Sequence, residues 1–217
     1  MNNALDMLLV ILVLTDLVLL GSSRLRNAIR IAALQGLMLG LLPLLAHGHG
    51  LVWSAVLLGA GSALLKGFVF PALLNRALRE TNARREIEPL VGYVPSLLIG
   101  MGVLALSFGF GARLPLPWPA PSQWLVPAGL FTVWTGLFLI VARRKAITQV
   151  LGYVVLENGI FALGMVLVEA MPLLVELGVL LDVFVAVFVM GIIVFHINRE
   201  FDHIDADQLR ALKEPAP

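Results

Sequence analysis

Seven apolar stretches, each near the ~20 residues with which an α-helix crosses a ~30 Å hydrocarbon layer, constrain this chain more than any other feature. They cover about 4 to 21, 29 to 46, 51 to 76, 91 to 111, 123 to 142, 147 to 168 and 173 to 198. Gly21-Ser-Ser-Arg24, His47-Gly-His-Gly50, the polar run from Arg79 to Glu88 and the prolines at 115, 117, 119 and 121 mark breaks between them. Backbone polar groups inside lipid must be satisfied within the protein, and runs of this length do so as helices. The expected fold is therefore an all-α membrane protein of about seven transmembrane helices. Its loops are too short to hold a folded extramembrane domain.

Composition agrees with that class: 59% of the 217 residues are hydrophobic, 13% are charged, and the mean hydropathy is +0.95. The first apolar run lacks a preceding basic segment and a following A-x-A-like cleavage site, so it is expected to be a mature helix and not a signal peptide. Cysteine is absent, which excludes disulfides, thiolate-bound iron-sulfur clusters and thiolate zinc sites within this chain.

Orientation follows from the basic residues. Arg24, Arg26, Arg30, Arg76, Arg79, Arg84, Arg85, Arg143, Arg144, Lys145, Arg199, Arg210 and Lys213 fall on one side of a seven-helix arrangement, and Arg113 alone falls on the other. By the positive-inside rule the N-terminus is expected outside and the C-terminus in the cytoplasm. Trp53, Trp118 and Trp124 then lie near the outer boundary, where aromatic belts form. With a net charge of only +1 and basic residues in short clusters between spans, this pattern is a topology signal and not a nucleic-acid surface. The organisation expected is five N-terminal helices over residues 1–142, a helical hairpin over 143–200, and a cytoplasmic tail over 201–217. The tail's Asp202, Asp205 and Asp207 ahead of Leu209, Leu212 and Lys213 fit one short amphipathic turn or a frayed end.

Ionised groups at the bilayer centre cost about 3 kcal/mol on insertion scales, so those inside a span are functional candidates. Lys66 is central in the third span, Glu157 lies in the sixth, Glu176 and Asp182 in the seventh, and Asp16 in the first. Counting from the turn at Glu169 to Pro172, Glu157 and Asp182 both come ~17 to 20 Å below the outer surface, and Lys66 ~22 Å below it. Three titratable groups on three helices thus share a layer, an arrangement suited to a lateral proton path. The same groups could instead hold helices together by hydrogen bonds. Gly59, Gly61, Ala63 and Gly67 around Lys66 admit close approach of a neighbouring helix. Glu176, ~8 Å from the outer end of its helix, is placed at the mouth of such a path. Asp16, about five residues from the cytoplasmic end of its span, is expected to cap the helix or reach water.

The histidines at 47, 49, 196 and 203 have no spacing for haem or metal across the bilayer, and no Walker loop, G-x-S-x-G or H-E-x-x-H occurs. No cofactor and no catalytic site of its own are therefore expected of this chain.

The run from Leu151 to Phe161, with Gly152-Tyr153 and Glu157-Asn158-Gly159, resembles the hydrogenase-4 component E family, a membrane subunit of formate hydrogenlyase-type and related complexes. Pro172 to Gly178 with Glu176, then Asp182, Phe184, Ala186, Val189 and Met190, look like the same family. Trp53-Ser54 with Lys66 and Pro71 looks like its third helix, so the similarity covers most of the chain and is strongest from Arg143 to His196. The family's C-terminal helices are similar to the K subunit of complex I, which carries an acidic residue in each of two helices. Glu157 matches the first, and Asp182 stands near the second, as aspartate where complex I has glutamate.

The resemblance implies a proton-translocating complex in a bacterial or archaeal cytoplasmic membrane. The partners it implies are antiporter-like membrane subunits, a complex I-like subunit that anchors the peripheral arm, and a soluble redox module, of which a nickel-iron hydrogenase with iron-sulfur subunits is one form. Mrp-type cation/proton antiporters, whose small subunit resembles only the C-terminal helices, form the alternative, together with a purely structural subunit.

Overall fold

The computed structural model describes residues 3–46, 53–80, 89–114 and 122–166, and within them the chain is helical throughout. The helices are α1 (Asn3–Gly21), α2 (Leu25–Ala46), α3 (Trp53–Leu64), α4 (Phe70–Glu80), α5 (Tyr93–Gly111), α6 (Leu125–Ala142) and α7 (Ala146–Gly164). Five of these, α1, α2, α5, α6 and α7, are long and apolar enough to cross a membrane. The expected seventh span (173–198), with Glu176 and Asp182, lies outside the described residues, as do Trp118 and the tail.

The third expected span differs from a plain α-helix. α3 and α4 are joined by a five-residue π-helical turn, Leu65–Val69, in which the Phe70 N–H donates to the Leu65 carbonyl five residues back. Pro71 supplies the physical reason. It has no N–H to donate to Gly67, and its ring crowds the carbonyl four residues earlier, so the ladder widens just before it. The second span begins at Leu25, several residues earlier than its hydropathy suggests, which places Arg26 and Arg30 in the first turns of α2, where both are exposed. Long basic side chains at such positions reach water while their stems lie on apolar surface.

Pro43 lies inside the last turn of α2, while two other prolines fall where helices tolerate them. Pro95 in α5 and Pro127 in α6 both stand in the first turn, whose N–H groups have no intrahelical acceptor.

Helices α6 and α7 form an antiparallel hairpin with the most extensive helix contact among the described residues. Glycines seven residues apart on each helix explain it: a Cβ added at Gly136 would lie 2.7 Å from the Gly152 carbonyl oxygen, and one at Gly159 2.9 Å from that of Gly129. The backbones therefore meet directly at two levels, as small residues allow between membrane helices that lack a hydrophobic driving force. Helices α1 and α2 pack against this hairpin, α3 packs on α2, and α5 lies at the periphery against α1 and α6. Residues such as Met7, Leu14, Val94, Leu98, Leu106 and Phe110 expose apolar side chains outward, the surface a lipid environment requires.

Buried apolar residues divide into two clusters. One gathers Leu19, Leu20, Leu25, Ile29, Ala32, Leu139, Leu151 and Val155 among others, and the second gathers Leu5, Leu9, Leu12, Leu39, Leu42, Leu125, Ala128 and Ala162. On three helices buried polar side chains lie between these clusters, Asp16 on α1, Gln35 on α2 and Glu157 with Asn158 on α7, and on α6 the buried Thr132 follows Phe131 at the edge of the first cluster. A polar layer thus separates two apolar ones.

Candidate functional site

The layer is built from one face of each helix. On α1 the buried stripe runs Leu5, Leu9, Leu12, Asp16, Leu19, at the alternating four- and three-residue steps of a helix face, which turns Asp16 inward with its neighbours. Asp16 is 0% exposed. Its Oδ1 accepts from Gln35 Nε2 at 2.8 Å, and its Oδ2 lies 2.6 Å from the Thr132 hydroxyl. Gln35 Nε2 also donates to Thr15 Oγ1 at 3.0 Å, and Thr15 in turn donates to the Leu12 carbonyl. Beyond Gln35, the Asn158 amide nitrogen faces Gln35 Oε1 at 3.5 Å, so the polar contacts run from α1 through α2 to α7.

This corrects the expectation that Asp16 caps its helix or reaches water. Distance from the exposed end of α1 at Gly21 does not fix the direction of the side chain, and the buried stripe turns Asp16 inward. Arg143, just past α6 and 1% exposed, ties down the inner side of the last turn of α1: its Nη2 donates to the Leu20 carbonyl at 2.9 Å and its Nη1 to the Val91 carbonyl at 3.0 Å, and its guanidinium lies 4.6 Å from the Tyr93 ring centroid. A residue expected as a loop cation is thus a buried staple across α1, α5 and α6. The fork geometry of guanidinium suits two carbonyls on different chain segments.

Lys66 lies in the π turn and is 0% exposed. Its Nζ sits 5.2 Å from the centroid of the Phe161 ring, within the range of cation-π attraction. Phe161 is one helical turn from Glu157, on the same face of α7, and Glu157 is 6% exposed. The adjacent Asn158 points towards Gln35 instead. Lys66 and Glu157 thus come to neighbouring parts of one helix face, with Phe161 beside the amine. Of the other two expected path residues, Glu176 and Asp182, the described residues contain neither.

Small residues bring Lys66 inward, as the sequence suggested, though not all of those named take part. A Cβ at Gly40 on α2 would meet Ala63 and the Gly59 carbonyl, and Gly67 packs on Leu37, whereas Gly61 has nothing within 4 Å. Sequence reading also missed Gln35, Thr132 and Thr135, each 0% exposed. Their signal was available as uncharged polar residues in the interior of apolar runs, but reading for ionisable groups alone passes over them. Buried oxygens of Ser62, Thr135 and Asn158 (Oδ1) have no hydrogen-bond partner, consistent with a layer that retains spare polar capacity.

Two curated relatives can be set beside this geometry. The chain is 35% identical to the uncharacterized protein Rv0085 of Mycobacterium tuberculosis over 204 residues, covering 94% of this chain and 93% of that one. It is 30% identical to hydrogenase-4 component E of Escherichia coli K12 over 165 residues, covering 75% of this chain and 73% of that one, and matches the Shigella flexneri protein of the same name equally. No family profile and no solved structure matches it. On the extent and identity of the second match, this chain is a member of the hydrogenase-4 component E family.

Proposed function

We propose that this multi-pass membrane protein is a non-catalytic subunit of a hydrogenase-4-like or complex I-like proton-translocating redox complex in the cytoplasmic membrane. In this reading Lys66, Glu157 and Asp182 form one section of a midplane proton path, with Glu176 at its mouth. The observation that carries it is the position of Lys66: a fully buried amine, in a π turn, 5.2 Å from a ring one helical turn from the buried Glu157. Burial of an amine and a carboxylate at one level of apolar helices is costly and is the arrangement by which charge is passed inside membranes. π turns inside helices are also frequent at functional positions. Antiporter-like and anchoring membrane subunits and a soluble redox module are the partners this reading requires.

Purification of the tagged chain from its native membrane tests the assembly. Iron-sulfur and nickel-containing partners support the proposal, and antiporter-type subunits without a redox module overturn it. The path is tested separately by Glu157→Gln, which keeps shape and hydrogen bonding but carries no proton. The variant complex is expected at wild-type level with proton movement into vesicles reduced about tenfold or more, as loss of a required proton carrier implies. Normal proton movement would reduce Glu157 to a helix contact.

A further inference from the structure

Asp16 is used by none of the proposed path, yet it is fully buried and both of its carboxyl oxygens are hydrogen-bonded. The Thr132 hydroxyl has one hydrogen and two acceptors within reach, Asp16 Oδ2 at 2.6 Å and the Ala128 carbonyl at 2.9 Å. With Asp16 ionised, Thr132 donates to Oδ2 and Gln35 donates to Oδ1. When a proton binds Oδ2, the new O–H donates to Thr132 Oγ, the Thr132 hydrogen turns to the Ala128 carbonyl, and the Gln35 bond stays. Both states leave every polar atom of the carboxyl hydrogen-bonded, and no heavy atom has to move. A buried acid held only as a helix contact needs one such arrangement, whereas this one has two.

We propose that Asp16 is a second proton-binding site of the membrane layer, loaded and unloaded by rotation of the Thr132 hydroxyl and linked through Gln35 and Asn158 to the helix that carries Glu157. The inference rests on the proton-path reading for what the site serves. A proton fits better than a sodium ion, because Gln35 turns its amide nitrogen, a donor, towards the carboxyl, while hard cations take oxygen ligands.

The charged and titratable groups around the site are few. α5 and α6 contribute no charged side chain, although α5 holds Tyr93, which stacks with Arg143; α2 contributes the exposed Arg26 and Arg30; α7 contributes Glu157 and the half-buried Tyr153. On α1 itself Asp6 accepts from Ser122 towards the opposite end of the helix, and Lys66 packs against α2 at Gly36.

Infrared difference spectra of the intact complex between acidic and alkaline buffer test the proposal, with Asp16→Asn as reference. Asparagine can accept from Gln35 and donate to Thr132, so it preserves the contacts and the variant is expected to assemble at wild-type level. A protonated-carboxyl band that titrates in the wild type and vanishes in Asp16→Asn is expected. Thr132→Val is expected to displace that band, because the carboxyl O–H loses its acceptor. Proton movement by Asp16→Asn is expected to fall at least fivefold. A spectrum identical in wild type and Asp16→Asn across the pH range would overturn the proposal, as would an unchanged rate of proton movement. Glu157→Gln measured in parallel separates the two ideas: if it alone abolishes proton movement, the path stands without Asp16, and if only Asp16→Asn does, this site stands without the path.

Discussion

Gly36 on α2 lies directly against Lys66, so that a Cβ built on Gly36 would come 2.6 Å from the Lys66 Cβ and 2.7 Å from its carbonyl carbon. Backbone contact at this point seats the π turn on α2 and holds the lysine stem inside the bundle. Since the obstructing atoms include backbone, a neighbouring side chain cannot make room by rotating.

Gly36→Ala should therefore destabilise the protein by about 1–3 kcal/mol, the usual cost of overpacking a filled site. Gly61→Ala, in the same segment but with open space around it, should change the unfolding temperature little. Thermal unfolding of both variants in detergent checks the pair. Equal behaviour would mean that α2 and the π turn are not pressed together as described.

Lys66→Met separates charge from packing. Methionine fills a similar volume, and replacing a buried charge by an apolar group of like size is often neutral or stabilising where the charge serves only the fold. Protein level in membranes is expected to stay within about twofold of wild type, while proton movement falls about tenfold or more if the amine carries charge. A variant that assembles and transports normally would leave Lys66 with no part in the path.

Arg143→Met removes both donors from the Leu20 and Val91 carbonyls, leaving acceptors buried under an apolar side chain. The expected loss is about 1–3 kcal/mol, chiefly from the buried Leu20 carbonyl, since the Val91 carbonyl keeps the Ser96 hydroxyl at 3.4 Å. Arg143→Lys should recover only part of it, because an ammonium cannot fork to two carbonyls in fixed directions. Unfolding temperature and protease sensitivity near the α1–α2 turn are the measurements. Full recovery by lysine would show that charge, not the fork, is what matters.

Reporter fusions test the topology. From the thirteen-to-one distribution of basic residues, fusions are expected to report the N-terminus outside and the region after Arg199 in the cytoplasm. The burial of Arg143 removes one residue from the solvated tally but leaves its direction unchanged. A cytoplasmic N-terminus would reverse the assignment of sides for every helix end discussed above.

What the sequence by itself determined is the solvent and the broad shape. Apolar runs of bilayer length admit helices and little else, since unsatisfied backbone in hydrocarbon is too costly, and α1, α2, α5, α6 and α7 follow those runs to within a few residues. The inward placement of Lys66 and Glu157 was legible for the same reason, because a charge in the middle of such a run has no acceptable position facing lipid. Tertiary structure alone decided Asp16 and Arg143. Position along a helix gives depth relative to that helix's own end, and says nothing of what the neighbouring helices bring to the face on which a side chain lies. Here a guanidinium from beyond α6 binds the Leu20 carbonyl of α1, and Gln35 and Thr132 arrive from α2 and α6 to surround a carboxyl that its own sequence neighbourhood marked as exposed.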